Sequence, residues 1–194
     1  MWYWLCRDIC LVVCYLSLRI RVSGRENIPR KGGFILVSNH ASNLDPVLLG
    51  IVLPRRLDYL AKEELFTSSF FGSLLRSVGS VPLKRGSADV GALKESLRRL
   101  NEGRGLVMFP GGTRLGDGTL SRAQAGVGFL AAKSGVPVIP ALIKGSDAAM
   151  PKGAKRIKRA VVSISFGKQI FIERRMPYQQ IADEIMQVIR HLSC

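Results

Sequence analysis

Apolar residues fall along this chain in two alternating rhythms. Short β-branched runs recur at Phe34-Ile35-Leu36-Val37, Leu57-Asp58-Tyr59-Leu60-Ala61, Gly79-Ser80-Val81-Pro82-Leu83, Leu106-Val107-Met108-Phe109, Val136–Ile143 and Val161–Gly167. Each has the length and composition of a buried strand. Pro82 cannot donate to a ladder, which places its strand near a sheet edge. Between these runs the spacing lengthens to three and four. Val90, Leu93, Leu97 and Leu100 predict a helix with Ser87 as N-cap and Gly103 as stop, and Ile181, Ile185, Val188 and Leu192 predict one apolar face on a last helix. Pro46 opens Val47–Leu53 as a helix, and Ser121 with Gln124 makes a capping box for a helix ending near Gly135. Gly126 and Gly128 inside that helix predict close packing against backbone or ligand. The segment from Lys62 to Leu75 reads as an apolar helical stretch, packing on the sheet or lining an acyl groove.

Strands alternating with helices predict an α/β fold: a single domain with a largely parallel central sheet flanked by helices. At 194 residues the chain is long enough for one substantial core.

The first eighteen residues break the rhythm. Trp2, Tyr3, Trp4 and Tyr15 bracket an apolar centre as interfacial aromatics do, and Arg7 and Asp8 interrupt it. The run barely reaches the ~17–25 residues of a membrane span. It reads as an N-terminal membrane-associating helix over residues 1–19, shallowly inserted, against the alternative of a buried helix of the globular domain. No small-residue cleavage site follows, so a secretory signal is not expected. Arg19, Arg21, Arg25, Arg30 and Lys31 come next, which points to the cytoplasmic face of a membrane.

Lys+Arg 29 against Asp+Glu 14 gives a net charge of +15, and mean hydropathy is positive at +0.16. Such a surface favours anionic partners without choosing among them. The basic residues are spread along the chain with no accompanying nucleic-acid motif, so no nucleic acid is expected as partner. Lys152, Lys155, Arg156, Lys158 and Arg159 nevertheless concentrate in one basic loop. Cys6, Cys10 and Cys14, four apart, stripe one helix face and read as small packing residues of a membrane-facing helix rather than a disulfide framework. The two histidines, His40 and His191, lack clustered ligands, so no metal is expected.

Candidate chemistry centres on Asn39-His40-Ala41-Ser42-Asn43-Leu44-Asp45-Pro46, on a strand-to-helix turn. On one straight helix His40 and Asp45 would stand about 140° apart. If Ser42-Asn43 bends the chain, imidazole and carboxylate meet as a base with its orienting acid, lacking only a nucleophile that a substrate hydroxyl supplies. Asp45 before Pro46 is equally what a helix N-cap looks like.

Three further blocks stand in register with this one. They are Gly79-Ser80-Val81-Pro82-Leu83-Lys84-Arg85-Gly86, Phe109-Pro110-Gly111-Gly112-Thr113-Arg114 and Gly135-Val136-Pro137-Val138-Ile139-Pro140. With the His40 block they resemble, in order and separation, the glycerolipid acyltransferases typified by 1-acylglycerol-3-phosphate acyltransferase, over about residues 20 to 170. The resemblance implies an acyltransferase domain over 20–194 that moves a fatty acyl group from a thioester, acyl-CoA or acyl carrier protein, to a lysophospholipid at a membrane. No cofactor is implied beyond that donor. It implies His40 as general base with Asp45 beside it as the catalytic pair. It further implies Arg85, Gly111, Gly112, Thr113 and Arg114 as substrate-binding, the arginines suiting phosphate geometry.

Two departures stand out. Gly111 occupies the position where the family carries a glutamate thought to bind acceptor hydroxyls. That opens a different acceptor headgroup, compensation by another carboxylate such as Asp117, or a weakened enzyme, and a non-catalytic membrane-binding homologue remains the alternative to an enzyme. The N-terminal stretch also offers one membrane helix where the family's platform has two.

Overall fold

The computed structural model describes residues 2–84, 89–111, 124–173 and 175–193. In chain order the elements are α1 (Trp2–Ser17), β1 (Leu18–Ser23), β2 (Phe34–Ser38), α2 (Asp45–Val52), β3 (Leu57–Lys62), α3 (Ser69–Ser77), β4 (Ser80–Leu83), α4 (Val90–Asn101), β5 (Gly105–Met108), α5 (Ala125–Ser134), β6 (Val138–Lys144), α6 (Ser146–Ala149), β7 (Ala160–Phe166) and α7 (Tyr178–His191).

The strands form one sheet in the order β1-β7-β6-β2-β5-β3-β4. All neighbours run parallel except β6 and β7. This is the expected α/β architecture, with β4 and its Pro82 at an edge. Period-two alternation divides the core into two layers. Phe34, Leu36, Val107 and Ile139 pack under α1 and α2, whereas Ile35, Val37, Leu106 and Val138 pack under α4, α5 and α7. Strand β2 is buried at every residue, as a strand covered on both faces must be.

Several local expectations change. Arg19 and Arg21 of the basic run lie in edge strand β1, because Leu18-Arg19-Ile20-Arg21-Val22 alternates and turns Leu18, Ile20 and Val22 into the core layer under α1 and α2 while the strand pairs with β7. The cysteine stripe faces the protein: Cys14 is buried and Cys10 packs against the same cluster. The outer face of α1 is instead made by Leu5, Ile9, Val12, Val13 and Leu16. Among the described residues no helix is long and apolar enough to cross a membrane.

Helix α3 packs only partly on the sheet, with Leu74 and Leu75 half-buried. It buries only Gly72, leaving Phe70 82% exposed. Asp89 caps α4 through Ala92 N–H, while Ser87 lies outside the described residues. Helix α5 starts at Ala125 with Gln124 as its N-cap residue, so Gln124 is not the third helical position that a capping box needs, and Ser121 lies outside the described residues. Gly128 has the expected close packing, for a Cβ there would stand 1.9 Å from Tyr178 O, but Gly126 has nothing within 4 Å. On α7 the buried face is Ile181, Ala182, Ile185, Met186 and Ile189, whereas Val188 is exposed.

One buried charge holds the opposite end of the sheet from His40. Asp58, 1% exposed, meets Arg99 at 3.0 Å and Arg104 at 3.3 Å. A carboxylate this deep requires such partners.

Candidate active site

The C-terminal ends of the parallel strands share one edge, where crevices form in open α/β sheets. Strand β2 delivers Asn39 and His40 there, and β5 delivers Phe109, Pro110 and Gly111 beside them.

The turn after β2 is pinned at both ends. Asn39 donates from Nδ2 to Ile143 O at 2.8 Å and accepts from Ile143 N–H at 2.8 Å, copying a backbone unit and extending the β2–β6 ladder by one residue. Ser42 donates from Oγ to Met150 O at 2.8 Å and accepts from Leu44 N–H at 3.2 Å. These bonds supply the bend that the five-residue spacing demands.

Asp45 is the first residue of α2, with Leu44 at the N-cap position and Pro46 second, one place later than the sequence suggested. Its carboxylate turns backward rather than capping its own helix. Oδ2 accepts from Ala41 N–H at 2.7 Å, from Ser42 N–H at 2.8 Å and from His40 at 2.9 Å through Nδ1. Asp45 is fully buried and the His40 side chain is 18% exposed. A carboxylate oxygen taking two amide protons is an acceptor, so Nδ1 of His40 carries a hydrogen, and in the neutral ring the lone pair falls on Nε2. The imidazole also stacks on Phe109, centroids 4.3 Å apart at 27° between planes. The pair can therefore take a proton at Nε2 and hold the resulting imidazolium against a fixed negative charge.

The structure thus joins His40 to Asp45. Gly111 lies half-buried one residue after Pro110 on the same edge. Arg85, Gly112, Thr113, Arg114 and the alternative carboxylate Asp117 lie outside the described residues. Their flanks are held. Asp89 Oδ2 accepts from Lys84 N–H at 2.9 Å, and Gln124 N–H donates to Pro110 O at 3.1 Å. The two amides from Ala92 and Lys84 hold the Asp89 carboxyl below the usual carboxylate range. Asn39 and Phe109 are positioning residues that the sequence left without a role, the polar type of Asn39 being the one hint, whereas Ser42 makes the bend expected of Ser42-Asn43.

Comparison with known proteins gives this geometry a family. The acyltransferase family model matches residues 19–144. The 1-acyl-sn-glycerol-3-phosphate acyltransferase of Bacillus subtilis (strain 168) is 28% identical over 169 residues, covering 87% of this chain and 82% of the relative. The chloroplastic enzyme of the same description from Arabidopsis thaliana is 34% identical over 146 residues, covering 74% of this chain. This chain spans only 41% of that longer relative. The crystal structure of the 1-acyl-sn-glycerophosphate (LPA) acyltransferase PlsC from Thermotoga maritima superposes with a TM-score of 0.75 at 25% identity, covering 97% of this chain and 81% of that one. With its model matched through the His40 turn and the strands that carry it, the chain belongs to the acyltransferase family of enzymes.

Proposed function

We propose that this protein transfers a fatty acyl group from a thioester, acyl-CoA or acyl carrier protein, to the free hydroxyl of 1-acylglycerol-3-phosphate, giving phosphatidate. The observation that carries the reading is the 2.9 Å contact between His40 Nδ1 and buried Asp45. That the Bacillus subtilis and Arabidopsis thaliana relatives are 1-acyl-sn-glycerol-3-phosphate acyltransferases supports the choice of acceptor.

In this reading His40 Nε2 removes the acceptor's hydroxyl proton as its oxygen attacks the thioester carbonyl. The tetrahedral intermediate collapses with loss of the thiol, which leaves with the proton His40 returns. Asp45 keeps the ring in the right tautomer and offsets the transient imidazolium charge. A general base so placed is worth about 10²–10⁴-fold. Arg85 and Arg114, with Gly112 and Thr113, are the proposed phosphate contacts, because guanidinium forks and loop amides suit that anion. The outer face of α1, with Trp2, Trp4 and Leu16 exposed, supports a shallow membrane attachment over residues 1–19 that brings the enzyme to its lipid acceptor.

Release of free thiol from acyl-CoA, measured with and without lysophosphatidate in detergent, tests the reading. Wild type consumes the thioester only with acceptor present, and His40→Ala, verified as folded by circular dichroism, does not. Undiminished turnover in His40→Ala overturns the mechanism.

Gly111 favours a second reading with the same chemistry on a different lyso-lipid. A panel of acceptors assayed with wild type and Gly111→Glu separates the two. Preference of wild type for lysophosphatidate, unaltered by the substitution, sinks the second.

A further inference from the structure

Strand directions place the basic loop before β7 beside the end of α1. Because β7 runs antiparallel to β6, it enters the sheet at the edge where β2 and β6 leave it, the edge carrying His40. Strand β1 is parallel to β7, so it enters there too. The register pairs Leu18 with Ala160. Ser17, the last residue of α1, and Arg159, the last residue of the basic loop, each directly precede a member of that pair, so the helix end and the loop end reach the sheet side by side at this edge.

The loop Pro151–Arg159 is held in place from within. Met150 O, at its start, accepts the Ser42 hydroxyl of the His40 turn, and Lys158 N–H donates to Ala149 O at 2.8 Å. Ile157 packs against the same cluster as Cys10 and Leu11 of α1. Its five cations, Lys152, Lys155, Arg156, Lys158 and Arg159, are all exposed. Among the described residues none of them is in an ion pair. Beside them the last turns of α1 expose Val12, Val13, Tyr15 and Leu16, the last at 77%.

Five like charges on nine residues repel one another unless a partner supplies the opposite sign. An apolar helix end alongside them needs covering by something apolar. A nucleic acid meets the first demand and not the second, and so does a soluble phosphorylated donor. A negatively charged lipid surface meets both.

We propose that this loop is an anionic-headgroup contact which, with the C-terminal half of α1, seats the His40 edge of the sheet on a negatively charged leaflet. The proposal rests on the lipid-acceptor reading above and adds the charge of the surface and the segment that recognises it. The acceptor then reaches His40 from the leaflet without leaving it.

Flotation of the full chain with vesicles of phosphatidylcholine, alone or mixed with phosphatidylglycerol, tests this. Wild type binds the mixed vesicles more tightly, and added salt removes that difference while binding to neutral vesicles persists. Removing two cations, Lys155→Gln with Arg156→Gln, lowers affinity for the mixed vesicles about 10- to 30-fold, at roughly fivefold per cation near the surface. Neutral vesicles bind the double variant as they bind wild type. Equal binding of wild type to both vesicle types overturns the proposal, as does a double variant that floats with mixed vesicles like wild type. A raised KM for acyl-CoA in neutral micelles, with vesicle binding intact, also overturns it and assigns the loop to the donor's phosphates. The two readings fail separately. Charge-selective binding without acyl transfer removes the enzymatic reading, and acyl transfer without charge selectivity removes only the loop's role.

Discussion

The side-chain amide of Asn39 forms a closed pair of hydrogen bonds with the backbone of Ile143, 2.8 Å in each direction, across 104 residues of sequence. It holds the His40 turn to β6 as another rung of the sheet would. Asn39→Ala strands a buried N–H and C=O together, at a cost of about 2–4 kcal/mol. We expect a melting temperature lower by about 5–15 °C. A fall in kcat larger than the loss of folded protein explains, measured well below that transition, identifies Asn39 as a positioning residue. A variant with wild-type kcat and stability refutes it.

Asp45→Asn separates shape from charge. An uncharged amide fills the same space and can still turn its one oxygen to Ala41, Ser42 and His40, but it carries no charge to hold the Nδ1–H tautomer or offset an imidazolium. Acyl transfer falls about 10²–10⁴-fold in kcat, by analogy with other His–Asp pairs. Steady-state kinetics on a variant with native circular dichroism checks this, and a change confined to KM speaks against the assigned role.

Two glycines one helical turn apart or less carry opposite expectations. Gly128→Ala forces a Cβ to 1.9 Å from Tyr178 O, where α5 meets α7, and destabilises by about 3 kcal/mol. Gly126→Ala meets nothing within 4 Å and is tolerated. Urea unfolding of both variants decides, and equal midpoints contradict the packing of α5 on α7.

Burial pushes the Cys14 thiol up from its ordinary value of 9.0 to about 11, with the neighbouring Cys10 adding to the rise. A thiol harder to ionise when folded stabilises the fold below the unfolded pKa, and that contribution is lost as pH rises towards the folded one. Stability therefore falls between about pH 9 and 11, partly from this group. Alkylation by iodoacetamide at pH 8, mapped by peptide mass, leaves Cys14 unmodified in the native protein and labels it in urea. Rapid native labelling of Cys14 means that α1 is not docked as described.

How much of this was readable in advance depended on the range of the signal. Runs such as Phe34–Val37 and Leu106–Met108 announced strands because burial on both faces demands unbroken apolar residues. The His40–Asp45 pairing was legible because its residues are five apart and the bend between them is made by Ser42, itself in the motif. Strand β1 carried its own signal, Leu18-Arg19-Ile20-Arg21-Val22 alternating in period two. The same arginines also suit a membrane flank, and local pattern does not separate the two.

Sequence alone located strands β2 to β7 and helices α2, α4, α5 and α7, and put one imidazole and one acid on a single strand-to-helix turn, since each depends on neighbours a few positions away. Tertiary structure decided the rest: that β7 reverses direction, that Asn39 finds Ile143, that Phe109 lies under the His40 ring, and that a basic loop ends beside an apolar helix. Those are contacts between distant segments. They are chosen by which faces bury together when the sheet assembles, and no short stretch of chain contains that choice.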